Sequence, residues 1–529
     1  MRHRIVVPRS RSCHDAGARP PARAPSVASH SAVVASLLAV SCSSLGAIAQ
    51  APSFPFAREG VLGTSSTLTV RAADAAAAER AAAAVFAEVE RLAAVLSTWD
   101  ERSELSRLCV AGGGQPSAEL AEVLANAARW RERSHGAFEP GVQRLVAVWQ
   151  KAAKDGVAPS AAALATEVAA LREPSYTLRE GALQVRGPLT LDALAKGHIV
   201  DRAVRVLAKE PGTALVAFQI GGDTRLGAEP TTINLADPRQ PASNAPPLAT
   251  LRLADRAVAS SGGYARGFDV AGVHHSHIVD PRTGQPCNGV LGASVVAADT
   301  ATADALATLL CVLGPKDGLA LLADVPLAEG VLVTADGKEH RSAGFAALLD
   351  KAAAPAAATT TTAAELDPKA WPPGFALQVD FEIKAPANSG TRGRGGWKRP
   401  YVAVWIEDIT GAPVRTLALW YDNDRWLRDL RRWTRSNAET PRLASLVSQA
   451  TRKAGAYQLA WDGTDDEGRQ VIANRYLVCI EVVREHGSYQ LIRQELAMLQ
   501  QPTEKQLEAN EEVASAKLTF GPTSRSAAK

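Results

Sequence analysis

Three stretches of this chain carry residue types and spacings suited to chemistry. In Ser276-His277-Ile278-Val279-Asp280-Pro281-Arg282-Thr283-Gly284-Gln285-Pro286, a strand-like His-Ile-Val meets an Asp-Pro turn and a Thr-Gly bend. Such a loop offers an imidazole, a carboxylate, a guanidinium and backbone N–H groups to a phosphate-bearing ligand. Taken alone, it reads more simply as a well-capped turn around a hydrogen-bonded histidine. The run from Asp299-Thr300-Ala301-Thr302 to Ala303-Asp304-Ala305-Leu306-Ala307-Thr308 follows a strand. If it is helical from Ala303 onward, Asp304 and Thr308 share one face, and with a carbonyl from elsewhere they suit a hard, oxygen-ligated cation. The competing reading is a helix N-cap by Asp299 or Thr302, with Asp304 in the first turn. In Leu191-Asp192-Ala193-Leu194-Ala195-Lys196-Gly197-His198, an apolar strand end leads into a helix. Lys196 could there meet phosphates near the helix N-terminus, or could be an ordinary solvated lysine.

Weaker singly are Gly221-Gly222-Asp223 after a strand, Ser260-Ser261-Gly262-Gly263-Tyr264, Gly136-Ala137-Phe138-Glu139-Pro140, and Ser97-Thr98-Trp99. The elements that must position these residues belong to a mixed domain over about residues 56–350. Residues 73–96 place Ala82, Val85, Phe86, Val89, Leu92 and Leu96 at helical spacing, and 120–132 and 199–209 also read as helices. Residues 215–220, 250–253, 293–297 and 330–334 read as strands, most of them ending in glycine or aspartate turns. The class is α+β. A low-complexity Ala/Thr/Pro segment at 351–374 reads as a linker. Beyond it, 375–499 is strand-rich, with alternation at 376–384, 401–406, 414–420 and 476–483 that suggests a smaller all-β sandwich. Residues 500–529 read as a polar tail in which 505–518 could be helical.

The length of 529 residues suggests two domains with flanking segments, and a net charge of only +3 gives no support to nucleic-acid binding. Residues 1–49 read as a signal peptide: Arg2, Arg4, Arg9, Arg11, Arg19 and Arg23 precede apolar residues 32–40 and 45–49, and Ala47-Ile48-Ala49 suits cleavage before Gln50. Cys42 follows Leu38-Ala39-Val40-Ser41, a poor lipoprotein box, so soluble export to the periplasm is preferred over lipid anchoring at the inner membrane's periplasmic face. No other stretch approaches the ~18 apolar residues needed to span a bilayer. Cys109, Cys287, Cys311 and Cys479 match no metal-site spacing and read as isolated buried thiols, with one disulfide left open.

Taken in order, from Leu62-Gly63-Thr64 to Gly314, these motifs resemble the ApbE-type FAD:protein FMN transferase family. The most specific are His277-Ile278-Val279-Asp280-Pro281-Arg282-Thr283-Gly284 and Asp304-Ala305-Leu306-Ala307-Thr308. The resemblance implies a T-fold-related α+β core and a Mg²⁺ site made of the Ala193 carbonyl, Asp304 and Thr308. It further implies FAD contacts from Leu62, Trp99, Ala137, Phe138, Glu139, Thr190, Lys196 and Ile278, with His277 as catalytic imidazole alongside Asp304. The sequence departs from the family pattern in four places. Leu62 stands for methionine, Glu139 for aspartate, Thr190 for aspartate and Trp99 for tyrosine, changes that bear on nucleotide affinity more than on the metal chemistry.

The expected reaction moves the FMN half of FAD onto a threonine or serine of an acceptor flavoprotein and releases AMP. Two rival readings use the same site: an FAD pyrophosphatase releasing FMN and AMP, and a flavin-binding protein without turnover. The second domain resembles an uncharacterised family of predicted periplasmic domains, on Arg399-Pro400-Tyr401-Val402-Ala403-Val404-Trp405-Ile406-Glu407 and Arg484-Glu485-His486-Gly487. That resemblance implies no activity. Trp420, Trp426 and Trp433 there could form a binding surface, although core packing is the preferred reading.

Overall fold

The computed structural model describes residues 51–240, 245, 247–263, 266–350, 370–384, 400–421, 424–437, 448–449, 452, 454–466, 468–484 and 488–522. The signal segment, most of the linker, Tyr264, Arg399, residues 485–487 and the side chain of Trp426 lie outside the described residues.

The first domain is built on an eight-stranded sheet whose strands follow one another in chain order. They are Ser53–Val61, Thr64–Ala72, Thr213–Ile220, Asp223–Leu226, Ala257–Gly262, Val290–Ala297, Glu329–Thr334 and Glu339–Arg341. Every neighbouring pair is antiparallel. In Thr64–Ala72 the buried positions are Ser66, Leu68, Val70 and Ala72, the period of two that a half-buried strand requires.

Three helices, Ala75–Leu96, Ala195–Leu207 and Thr300–Ala323, pack on one face of this sheet. Their apolar stripes join Leu68, Phe218, Ala259 and Val295 in the main core. Burying such side chains drives the assembly, at about 1.5–3 kcal/mol for each large aliphatic or aromatic residue. The opposite face carries Leu226, Val258, Val296 and Val331, covered by the hairpin Thr231–Leu235/Ala249–Leu253 and by Phe345. The Thr300–Ala323 helix is apolar enough by length and composition to cross a membrane, but its inner face packs on the sheet. Gly314, at φ 71°, breaks it just before Pro315.

The second domain is built on β-sheets, with short helical turns at Asp424–Asp429 and Arg431–Ser436. A four-stranded sheet centres on Phe375–Ile383 and a five-stranded sheet on Tyr401–Asp408. Leu377, Val379 and Phe381 of the first share one core with Val404, Ile406, Val478 and Ile480 of the second, as in a sandwich. Residues 505–518 are not helical. Thr503–Leu507 and Val513–Pro522 form two strands, and the latter pairs along the whole length of Phe375–Ile383. Val513, Ala516, Leu518 and Phe520 bury themselves in the sandwich, a strand alternation that the polar residues between them obscure in the sequence. Trp420 and Trp433 are core residues, 0% and 3% exposed, so neither contributes to a binding surface. Cys109, Cys287, Cys311 and Cys479 are free thiols.

Candidate active site

Helix Thr300–Ala323 starts with two caps. Asp299 accepts from Thr302 N at 2.8 Å, and Asp201 accepts from Thr300 N and Ala301 N, both at 2.9 Å. The Asp299 cap was one of the alternatives left by the sequence, but Asp304 lies beyond the first turn and is only 2% exposed. Thr308 follows one turn later on the same face, its Oγ1 3.1 Å from Ser261 Oγ.

Helix Ala195–Leu207 lies against this one so closely that a Cβ on Gly197 would come within 2.4 Å of the Thr300 carbonyl oxygen. The approach delivers Lys196 to Asp304. Lys196 Nζ donates to both Asp304 carboxylate oxygens at 3.2 Å and to the Asp192 carbonyl at 3.0 Å, and Gly197 N donates to Asp304 Oδ2 at 3.3 Å. The turn holding Asp192 and Ala193 and the helix holding Asp304 and Thr308 therefore meet at one ammonium. Lys196 is not a solvated lysine.

A second carboxylate joins them. Asp223, 1% exposed, places Oδ2 3.0 Å from Lys196 Nζ. In the sequence this residue belongs to one of the weaker motifs, because Gly-Gly-Asp after a strand is common turn chemistry and its partner lies elsewhere in the chain. Two buried carboxylates thus share one ammonium. Burial, and then the charge of Asp223, push the Asp304 carboxyl up to about 7; burial also raises Asp223, against the pull of Lys196. Burial alone would lower Lys196, but the two carboxylates outweigh it and hold the ammonium firmly protonated. The surplus negative charge and the oxygen donors suit a hard divalent cation. Among the described residues no three His, Cys, Asp or Glu side chains gather into a metal-binding group. A cation at Asp304 would therefore complete its shell with hydroxyl and carbonyl oxygens of the kind that Thr308 and the 190–194 turn carry.

His277 sits on the neighbouring loop with Nδ1 3.1 Å from the Arg266 carbonyl oxygen. A carbonyl only accepts, so the neutral ring carries its proton on Nδ1 and leaves the Nε2 lone pair available. Desolvation lowers its pKa, and the charges of Arg266 and Lys196 act in the same direction. Ile278 is buried, and its carbonyl accepts from Cys287 N at 2.8 Å. Asp280 and Arg282 do not reach outward together. The carboxylate takes the guanidinium at 2.9–3.0 Å and the Arg282 amide at 2.9 Å, closing its own turn.

The remaining expected contacts surround this centre unevenly. Trp99 is 75% exposed, a free aromatic face on a loop tied to Asp192 by Thr98 Oγ1 at 3.2 Å. Leu62, at φ 49°, and Gly63, at φ 78°, form the two-residue turn of the first hairpin, an unusual backbone for leucine. That turn lies beside the one bearing Asp223, since Gly221 N donates to Ser65 O at 2.9 Å. Thr190 Oγ1 accepts from Asp192 N at 3.2 Å, and Thr190 N donates to Pro140 O at 2.8 Å. Ala137, Phe138 and Glu139 are all buried. Glu139 accepts from Gly141 N at 2.9 Å and is ion-paired with Arg131, so its carboxylate is already occupied.

Residues 62–331 match the model of the ApbE family, and residues 377–515 match a family described as a predicted periplasmic protein. The chain is 30% identical over 315 residues to an FAD:protein FMN transferase of Treponema pallidum, covering 54% of this chain and 86% of that protein. It is 30% identical over 273 residues to an FAD:protein FMN transferase of Vibrio cholerae, covering 48% of this chain and 80% of that one. The crystal structure of an ApbE protein from Thermotoga maritima superposes on the first domain with a TM-score of 0.51 at 26% identity, covering 57% of this chain and all of that one.

Proposed function

This chain belongs to the ApbE family, and on that premise we propose that it is a Mg²⁺-dependent FAD:protein FMN transferase. It attaches the FMN moiety of FAD through a phosphoester bond to a threonine or serine of an acceptor flavoprotein, with AMP as the other product. The observation that carries this reading is the convergence of Asp304, Lys196 and the 190–194 turn on one buried, negatively charged point.

Asp304, Thr308 and the Ala193 carbonyl would hold the magnesium ion, which when bound neutralises charge on the phosphates of FAD. Lys196 supplies a positive charge at the same place for the diphosphate bridge. Trp99 offers its exposed ring to a flat heterocycle, and Leu62 and Thr190 would supply further contacts to FAD. Ala137, Phe138, Glu139 and Ile278 are buried, so any direct contact they make with FAD would be through the backbone. The acceptor hydroxyl oxygen forms the new bond to the FMN phosphorus as the P–O bond to the AMP phosphate breaks. The hydroxyl proton passes to His277 Nε2, whose partner Nδ1 is fixed on the Arg266 carbonyl.

The basic, apolar leader and the match to a predicted periplasmic family support export, with the reaction in the periplasm on an envelope flavoprotein. Asp304→Ala should abolish Mg²⁺-dependent transfer to the acceptor while leaving the fold intact. Transfer that survives this change would refute the metal placement.

A further inference from the structure

We propose that Asp223 is a positioning residue that keeps Lys196 at the site when Asp304 turns to the metal ion. This deepens the reading given above, since it rests on Asp304 as a metal ligand. The Lys196 ammonium has three protons and four oxygen neighbours within 3.2 Å, namely both oxygens of Asp304, the Asp192 carbonyl and Asp223 Oδ2. Of these, Asp223 Oδ2 is close without an aligned hydrogen bond, although it is fully buried. A buried carboxylate oxygen already ion-paired with the ammonium at 3.0 Å, yet not aligned for a hydrogen bond, is the partner that the ammonium can turn to. A small rotation of Nζ away from Asp304 would satisfy it.

The backbone of Asp223 is also held in place. It pairs with Ile220 and Ala259 in the sheet, and the adjacent Gly222 leaves no room for movement, because a Cβ there would meet the Ser260 carbonyl at 2.6 Å. Lys196 reaches the site on a long, flexible stem. Charge gives the arrangement its purpose. With Asp223 present, an ammonium and a divalent cation share two carboxylates. Without it, both cations would compete for Asp304 alone, and their mutual repulsion at this partly buried point would expel one.

The test is Mg²⁺ affinity measured by calorimetry on the full chain, without FAD. Asp223→Asn should weaken Mg²⁺ binding about tenfold or more. Lys196→Met should restore it, because the competing ammonium is gone. In the Lys196→Met background, adding Asp223→Asn should cost clearly less affinity than the same change costs the wild-type chain, and this comparison stands even if Asp223→Asn alone fails to fold. Wild-type affinity in Asp223→Asn would overturn the proposal. So would a loss in the Lys196→Met background as large as in the wild-type one, which would make Asp223 act on the metal ion without Lys196. Neither result bears on whether the wild-type protein transfers FMN, which is read separately on an acceptor protein.

Discussion

Gly197 and Thr300 touch backbone to backbone: a single added carbon on the glycine would lie 2.4 Å from the threonine carbonyl oxygen. This contact sets the spacing of the two helices that carry Lys196 and Asp304. Gly197→Ala should destabilise the protein by about 1–3 kcal/mol through overpacking. It should also weaken Mg²⁺ binding, because the Gly197 amide bond to Asp304 is displaced. Denaturant unfolding with parallel Mg²⁺ titration checks both effects, and an unchanged midpoint would contradict the packing argument.

The Asp304 carboxyl gives a pH signature to the metal-free protein. Its folded-state pKa, pushed up to about 7 by burial and by Asp223, exceeds the ordinary value of 3.8. The folded chain then holds a proton that the unfolded chain releases, so the stability it contributes is full below pH 3.8 and is lost as pH rises toward about 7. Asp304→Asn has no proton to hold. Urea midpoints of the two proteins in EDTA should therefore shift in favour of the variant as pH rises across that window. A difference independent of pH would contradict this assignment.

His277 predicts a different profile, in activity. Desolvation, opposed by the hydrogen bond to the Arg266 carbonyl and aided by the charges of Arg266 and Lys196, holds its pKa below 6.5, so the ring is neutral and able to accept a proton at neutral pH. The acid limb of the transfer rate should fall below that value. His277→Gln should lower kcat about 100- to 10,000-fold and remove the limb. A variant that keeps both rate and limb would exclude the imidazole as base.

The helices and strands around this site were largely legible from periodicity. Ala75–Leu96, Thr213–Ile220 and Val290–Ala297 each enclose or nearly match the segment expected from apolar spacing. Lys196, Asp304 and Thr308 were legible as motifs, but not their meeting, which depends on a glycine contact between helices far apart in sequence. Asp223 was hidden for the same reason, since a carboxylate's role is fixed by what the fold brings to it. The Glu139 carboxylate shows the converse. It looked available to ligand in the sequence, yet Arg131 and the Gly141 amide take it up.

The C-terminal strands give a prediction for the second domain. Phe375–Ile383 lies between Val513–Pro522 and Gly455–Trp461, so removing the former strips this strand of a partner. Truncation after residue 502 should abolish the cooperative unfolding of this domain, read by fluorescence of its buried tryptophans. A truncated chain with native fluorescence and a sharp transition would show those strands to be dispensable.

The most direct test of the central claim is mass spectrometry of an envelope flavoprotein incubated with the purified protein, FAD and Mg²⁺. The account predicts that the acceptor gains the mass of FMN less one water on a threonine or serine, with one AMP released per FMN attached, and that Asp304→Ala gives neither. An acceptor that stays unmodified while AMP accumulates would contradict it, as would modification that proceeds equally in EDTA.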